Sequence, residues 1–172
     1  VSAMTVEREA RLVGLAPSGL YRHFEGKSEM LDAVLAMVVG AVLETMRLGI
    51  RESPDPVSAL HRILIDVTTL IRDHFGVPRL IFSDEVHVHF PELNAKLIEI
   101  VGSISREVSK VAEKGQKEGC IRNDMEPEDI GIMFLGLFQP SGLMYYLSDK
   151  KFDMLTQVEK AWVFFEENIA PR

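Results

Sequence analysis

Apolar residues return about every 3.6 positions along almost the whole chain, a period that the α-helix repeats. Over residues 27–48, Leu31, Val34, Leu35, Val38, Val42 and Met46 fall on one side of such a helix, which gives it one face to bury and one to leave in water. Strict apolar–polar alternation, the mark of a half-buried strand, is missing, and so is an Asn-Gly hairpin turn. The pattern predicts an all-α fold.

Proline and glycine divide that fold into elements. Gly49 and the Pro54-Asp55-Pro56 cluster end the first long helix. Asp55 is then an N-cap with Pro56 in the first helical position, opening a helix whose face is Leu60, Ile63, Leu64, Val67, Leu70, Ile71 and Phe75. Gly76 and Pro78 close it, and residues 78–90 read as one short helix and a turn. Pro91 opens an amphipathic helix through Leu93, Leu97, Val101, Ile104, Val108 and Val111 that stops between Gly115 and Gly119. Pro127, with Glu128 and Asp129 at the positive helix end, opens a helix over 127–147. That helix is apolar nearly all round (Ile132, Met133, Phe134, Leu135, Leu137, Phe138, Leu143, Met144), so it should be covered on every side, and Pro140 should kink it. A last helix over 152–168 carries Leu155, Val158, Trp162 and Phe165 on one stripe.

Composition narrows the class further. Of 172 residues, 47% are apolar and 26% charged, enough apolar surface for a core. The longest wholly apolar runs, such as 33–39, fall well short of the roughly 20 residues that span a bilayer, so no transmembrane segment is expected. The single cysteine, Cys120, closes no intrachain disulfide, which points to a reducing, cytoplasmic compartment. No phosphate-cradling glycine loop, nucleophile elbow or His-Glu-x-x-His pair occurs, and Cys120 has no neighbouring base. The chain is therefore not expected to be an enzyme or to need a cofactor. His87 and His89, with Asp84 and Glu85, have metal-ligand chemistry but divide over two helix faces and read as solvated residues about a turn, so no metal is expected.

The chain carries a net charge of −7, yet residues 1–30 are neutral, with Arg8, Arg11, Arg22 and Lys27 against Glu7, Glu9, Glu25 and Glu29. Only this first segment escapes the acidic excess, which permits a polyanionic partner there. Residues 5–13 form a short helix, Gly14 supplies a left-handed turn position, and Pro17 opens a second short helix. The unit is a helix-turn-helix. Ala10, Leu15, Leu20 and Phe24 pack its two helices together, while Ser18, Gly19, Arg22 and His23 stay on or near the outer face, as a groove-reading helix requires.

On these residues the segment resembles the DNA-binding head of the TetR/AcrR family of bacterial transcriptional regulators. Thr5, Ala10, Gly14, Leu20, Tyr21, His23, Phe24 and Lys27 match its pattern in type and spacing, and the run Leu20-Tyr21-Arg22-His23-Phe24 followed by Lys27 is its most specific part. The resemblance implies that Thr5, Tyr21, His23 and Lys27 contact phosphates. It implies that Ser18, Gly19 and Arg22 face base edges, where an arginine can grip guanine with two bonds. Glu9 replaces a core Ile of the pattern, Val13 a small Ala, and Ala16 the Ser that caps the second helix. The family also carries a helix ahead of the position of Thr5, so a first helix upstream of residue 1 is expected.

The same resemblance divides the chain into a head with connecting helix, residues 1–48, and a ligand-binding and dimerisation body, residues 49–172. It implies a homodimeric, ligand-responsive regulator, a repressor that a small molecule releases from a double-stranded DNA operator. The last two helices would form a four-helix dimer interface through Gly136, Leu143, Leu155, Trp162 and Phe165, with Gly131 and Gly142 also allowing close approach. The effector, possessing hydrophobic character, would sit among the helices between residues 36 and 146. Phe75, Phe82, Met133, Phe138, Gln139 and Tyr145 would line its pocket, although each taken singly fits an ordinary core position better. Glu9, Ala16 and the neutral head keep a second class open: a helical small-molecule-binding or scaffold protein whose head no longer reads DNA.

Overall fold

The computed structural model describes residues 27–73 and 91–172. They form five helices: α1 (Lys27–Glu52), α2 (Pro56–Asp73), α3 (Pro91–Lys117), α4 (Pro127–Leu147) and α5 (Met154–Ile169). No strand occurs among the described residues, in keeping with the helical period. The expected end of α2 at Gly76 and Pro78 and the short helix over 78–90 lie outside them.

Local chemistry explains most of the boundaries. At α2, Asp55 Oδ1 accepts from the Ser58 backbone N–H at 2.9 Å and Oδ2 from the Ser58 hydroxyl at 2.6 Å, the expected cap. Asp153 repeats the device at α5, accepting from the Thr156 N–H at 3.1 Å and its hydroxyl at 2.7 Å. Those hydroxyl bonds favour the ionised carboxylates and hold both Asp55 and Asp153 below the usual carboxylate range. At the end of α3, Gly119 adopts φ +75°. The Cys120 N–H reaches back to the Gly115 carbonyl at 2.9 Å and the Gly119 N–H to that of Gln116 at 3.1 Å, the bond pair of a Schellman stop.

One boundary differs from the sequence reading. Gly49 does not end α1 but lies buried within it, where a Cβ would come 3.2 Å from Ile63 Cγ1 of α2. Its missing side chain lets the two helices approach. α1 ends at Glu52 instead, where the Ser53 hydroxyl donates to the Gly49 carbonyl at 2.7 Å and Pro54 follows.

The main core draws on all five helices. Val42 and Met46 of α1, Leu60, Ile63, Leu64 and Val67 of α2, Val108 and Val111 of α3, Ile130, Phe134 and Phe138 of α4, and Val158, Trp162 and Phe165 of α5 are buried together. α2 sits at the centre of this arrangement, in contact with each of the other four. Phe134 packs edge-on against Phe165 with centroids 5.8 Å apart, and Trp162 lies 5.7 Å from Phe165. A smaller second cluster of Leu31, Leu35 and Leu97 joins the first turns of α1 to α3, beside an ion pair between Lys96 and Asp32.

Gly131 of α4 faces α3, where a Cβ would meet Ser109 Oγ at 2.5 Å and the Ser105 carbonyl at 2.8 Å. The closest approach of α3 and α4 therefore depends on that glycine. The turn after α3 is bolted to the end of α5. The Arg122 N–H donates to the Ile169 carbonyl at 2.8 Å, and its guanidinium donates to that of Asn168 at 3.0 Å. This places positive charge on the negative end of α5. Arg122 also pairs with Asp124, whose carboxyl it holds down at about 2.

Candidate functional site

Thr5, Ser18, Gly19, Tyr21, Arg22 and His23 lie outside the described residues, as do Phe75, Phe82 and the cluster of Asp84, Glu85, His87 and His89. Lys27, the last residue of the motif, is the first residue of α1. From there α1 runs unbroken for 26 residues into the main core.

α4 is the most apolar element, and only one of its sides is covered. Ile130, Gly131, Phe134, Leu135, Phe138, Ser141 and Gly142 face inward. Ile132 and Leu147 are 62% and 66% exposed, with Met133, Gly136, Leu143 and Met144 also on the open side. The expectation of burial on every side thus fails within one chain. α5, which packs against α4, exposes Val163 and Phe164, the latter at 70%. Pro140 lies inside α4 without ending it, on the exposed side. Because proline has no N–H, the Gly136 carbonyl four residues earlier receives no helical bond from it.

The expected interface residues divide accordingly. Gly136 and Leu143 are exposed on α4 and Leu155 is half-buried. Trp162 and Phe165 are 5% and 4% exposed and belong to the chain's own core. Gly131 and Gly142 also face inward. Sequence reasoning placed α5's apolar stripe on Trp162 and Phe165 and missed Val163 and Phe164. The signal was present in the uninterrupted run Trp162-Val163-Phe164-Phe165, since four adjacent apolar residues cover more of a helix than one face.

Four of the expected effector residues are described, and they differ in their surroundings. Phe138 is buried against Phe134, with ring centroids 6.5 Å apart. Met133 and Gln139 are exposed and Tyr145 is half-buried. A groove of about 200 Å³ opens elsewhere, between α1 and α3, lined by Leu43, Met46, Arg47, Ile50, Ser103, Arg106 and Glu107. No group of three metal-type side chains occurs among the described residues.

α4 and the segment Leu31–Glu52 of α1 are each long and apolar enough to cross a membrane by length and composition, although no run in either is wholly apolar for that length. Both contribute buried residues to the same multi-helix core, which is how core helices of this composition are used.

No family model matches the chain. Among curated relatives, the nucleoid occlusion factor SlmA of Shewanella woodyi is 22% identical over 167 residues, spanning 96% of this chain and 84% of its own length. SlmA of Haemophilus influenzae is 20% identical over 164 residues, spanning 95% and 75%. Among solved structures, the regulatory protein TetR from Rhodobacter sphaeroides superposes with a TM-score of 0.77 at 15% identity, over 99% of this chain and 88% of that one. The transcriptional regulator FadR from Bacillus subtilis, in complex with stearoyl-CoA, gives 0.75 at 18% identity over 93% and 86%. The chain has the TetR/AcrR fold. The ketosteroid transcriptional regulator KstR2 of Mycobacterium tuberculosis shares that TetR/AcrR fold with a TM-score of 0.72 at 16% identity, over 97% and 85%. The proteins it resembles are regulators and occlusion factors rather than enzymes.

Proposed function

We propose that the chain is a dimeric, ligand-responsive DNA-binding regulator of the cytoplasm, a repressor that a small molecule releases from its operator. One observation carries this reading: α1 starts at Lys27, directly after the helix-turn-helix motif, and runs into the core without a break. A shift in the body that tilts α1 then moves the head. Residues 1–48 are the DNA-binding unit and 49–172 the responsive body. Thr5, Tyr21, His23 and Lys27 hold phosphates, and Ser18, Gly19 and Arg22 face bases.

The apolar residues that α4 and α5 leave exposed support a homodimer, because large apolar side chains in water call for a partner. Gly136, Leu143, Ile132, Met144, Leu147, Val163 and Phe164 are its contacts. Trp162 and Phe165, buried at 5% and 4% exposure, set the shape of α5 from beneath. A dimer presents two heads to a palindromic site, and a change in their spacing breaks register with the helical turn. The complex of FadR with stearoyl-CoA supports an effector with a long apolar part, for which Phe75, Phe82, Met133, Phe138, Gln139 and Tyr145 are the body residues to vary.

The experiment is selection of bound duplexes from a random DNA pool, followed by salt titration of the winner. Enrichment of a palindrome with half-sites about one helical turn apart, or a multiple of it, is the expected result. No enrichment by protein that is folded and carries its full N-terminal region transfers the function to the ligand-binding or scaffold class. The nucleoid occlusion factors among the relatives favour a second reading, a nucleoid-bound factor. It predicts many operator copies spread around the chromosome rather than a few beside promoters.

A further inference from the structure

We propose that the groove between α1 and α3 binds a small amphipathic carboxylate, its head held by Arg47 and Arg106 and its tail laid on Leu43, Met46 and Ile50. These five residues line one opening of about 200 Å³ together with Ser103 and Glu107. Met46, only 1% exposed, is the apolar floor, and Leu43 and Ile50 are its half-buried walls.

The cationic side of the groove is positioned by the residues around it. Arg106 Nη2 donates to the Ser103 hydroxyl at 2.8 Å, and that hydroxyl donates to the Glu99 carbonyl at 2.8 Å. The guanidinium lies back along α3 over Gly102, where a Cβ would come 3.2 Å from Arg106 Nη1. Held this way, Arg106 has a neutral partner and, among the described residues, no carboxylate. Arg106 is exposed at the mouth of the groove, beside the apolar floor. Of the other two charges, Glu107 pairs with Lys110 at 2.7 Å, and Arg47, which is exposed, meets Glu44 at 3.5 Å, a loose contact that leaves guanidinium N–H groups for a second carboxylate.

The chemistry of an occupant follows from these features. A planar guanidinium fits a carboxylate with two parallel bonds, and the floor takes methylene groups out of water. The volume lies below the roughly 300 Å³ at which drug-sized sites begin, which restricts the tail to a short chain. An occupant would bridge α1 to α3 and so fix the lean of α1. That regulatory consequence rests on the proposed function, whereas the binding itself does not.

The test uses octanoate with the full chain, followed by calorimetry. Saturable binding at one site per chain is expected, weakened at least tenfold by Arg106→Gln and by Arg47→Gln, as loss of a charge-assisted contact requires. Octanol, lacking the charge, should bind at least tenfold more weakly than octanoate. Arg51→Gln, on α1 but outside the groove, should leave octanoate affinity unchanged. Absence of saturable octanoate binding overturns the proposal. So does binding that survives both groove substitutions in variants whose thermal melts match the parent. Octanoate binding that leaves DNA affinity unaltered keeps the site and removes only its regulatory role. Failure of the ligand-free protein to select DNA removes the regulator reading and leaves the groove standing.

Discussion

At single residues, the clearest departures from ideal backbone lie in the turn between α4 and α5. Asp149 and Lys150 both have positive φ, at 51° and 70°. The Lys150 N–H bonds the Tyr145 carbonyl at 2.9 Å and the Asp149 N–H that of Tyr146 at 3.2 Å, the same stop that Gly119 makes after α3. An L-residue in that region is strained by about 1–2 kcal/mol, and glycine is not. Asp149→Gly should therefore raise stability by about 1 kcal/mol and the melting temperature by roughly 2–4 °C, read by thermal unfolding; a fall would show that the Asp149 side chain holds the turn. Asp55 supplies a pH-dependent counterpart. Its folded pKa lies below the ordinary value because of Ser58, so its contribution is complete above the ordinary carboxylate range and is lost as pH falls from that range through the lower folded value. Asp55→Ala should cost about 0.5–2 kcal/mol near pH 7 and progressively less below about pH 4, while Asp55→Asn keeps the cap and removes that dependence. Equal losses for Asp55→Ala at both pH values would refute the cap's role. Caps of this kind were legible because they are local, as Asp55 and Gly119 demonstrate. The Arg122 clasp was not, since its partners lie at Asn168 and Ile169, far along the chain, and no local pattern announces a contact that only the fold creates.

At the level of elements, sequence periodicity found the helices but not all their orientations. The stripe of α1 was legible because Leu31, Leu35, Val42 and Met46 are its only regular apolar spacing that reaches the core. In α4 the periodic signal is swamped: apolar on nearly every side, it could not say that Phe134 and Phe138 point in while Ile132 and Met144 point out. α5 has the same ambiguity at Trp162 to Phe165, and packing against α2 resolved it by seating Trp162 beside His61, with ring centroids 4.9 Å apart. The two halves of that run therefore respond differently to mutation. Phe164→Asp places a charge on the open face and should shift the chain toward monomer in analytical ultracentrifugation, with the monomer's helical content retained. Trp162→Ala removes a core side chain and should cost about 3–5 kcal/mol of stability in denaturant unfolding. A Phe164→Asp protein that remains dimeric would move the interface off α4 and α5.

At the scale of the whole molecule, charge is divided between a neutral first segment and an acidic remainder, so the proposed attraction to DNA would have to come from few, well-placed cations rather than from a general positive field. Each phosphate contact releases condensed counterions, and the salt slope of binding counts those contacts. Lys27, the first residue of α1, is one of the phosphate contacts proposed above. Lys27→Ala should weaken binding to all sequences alike and lower the salt slope by about 1 per head, hence about 2 for a dimer. Arg22→Ala should instead alter the base preferred at one position in each half-site, with the slope for a matched operator nearly unchanged. Both values come from titrating the selected duplex and its single-base variants at several salt concentrations. If Arg22→Ala lowers the slope and leaves base preference intact, Arg22 is a phosphate ligand and base reading falls to Ser18 and its neighbours. If neither substitution alters the slope, the head does not touch DNA through these residues, and the resemblance carried by the Leu20-Tyr21-Arg22-His23-Phe24 run is one of sequence without function.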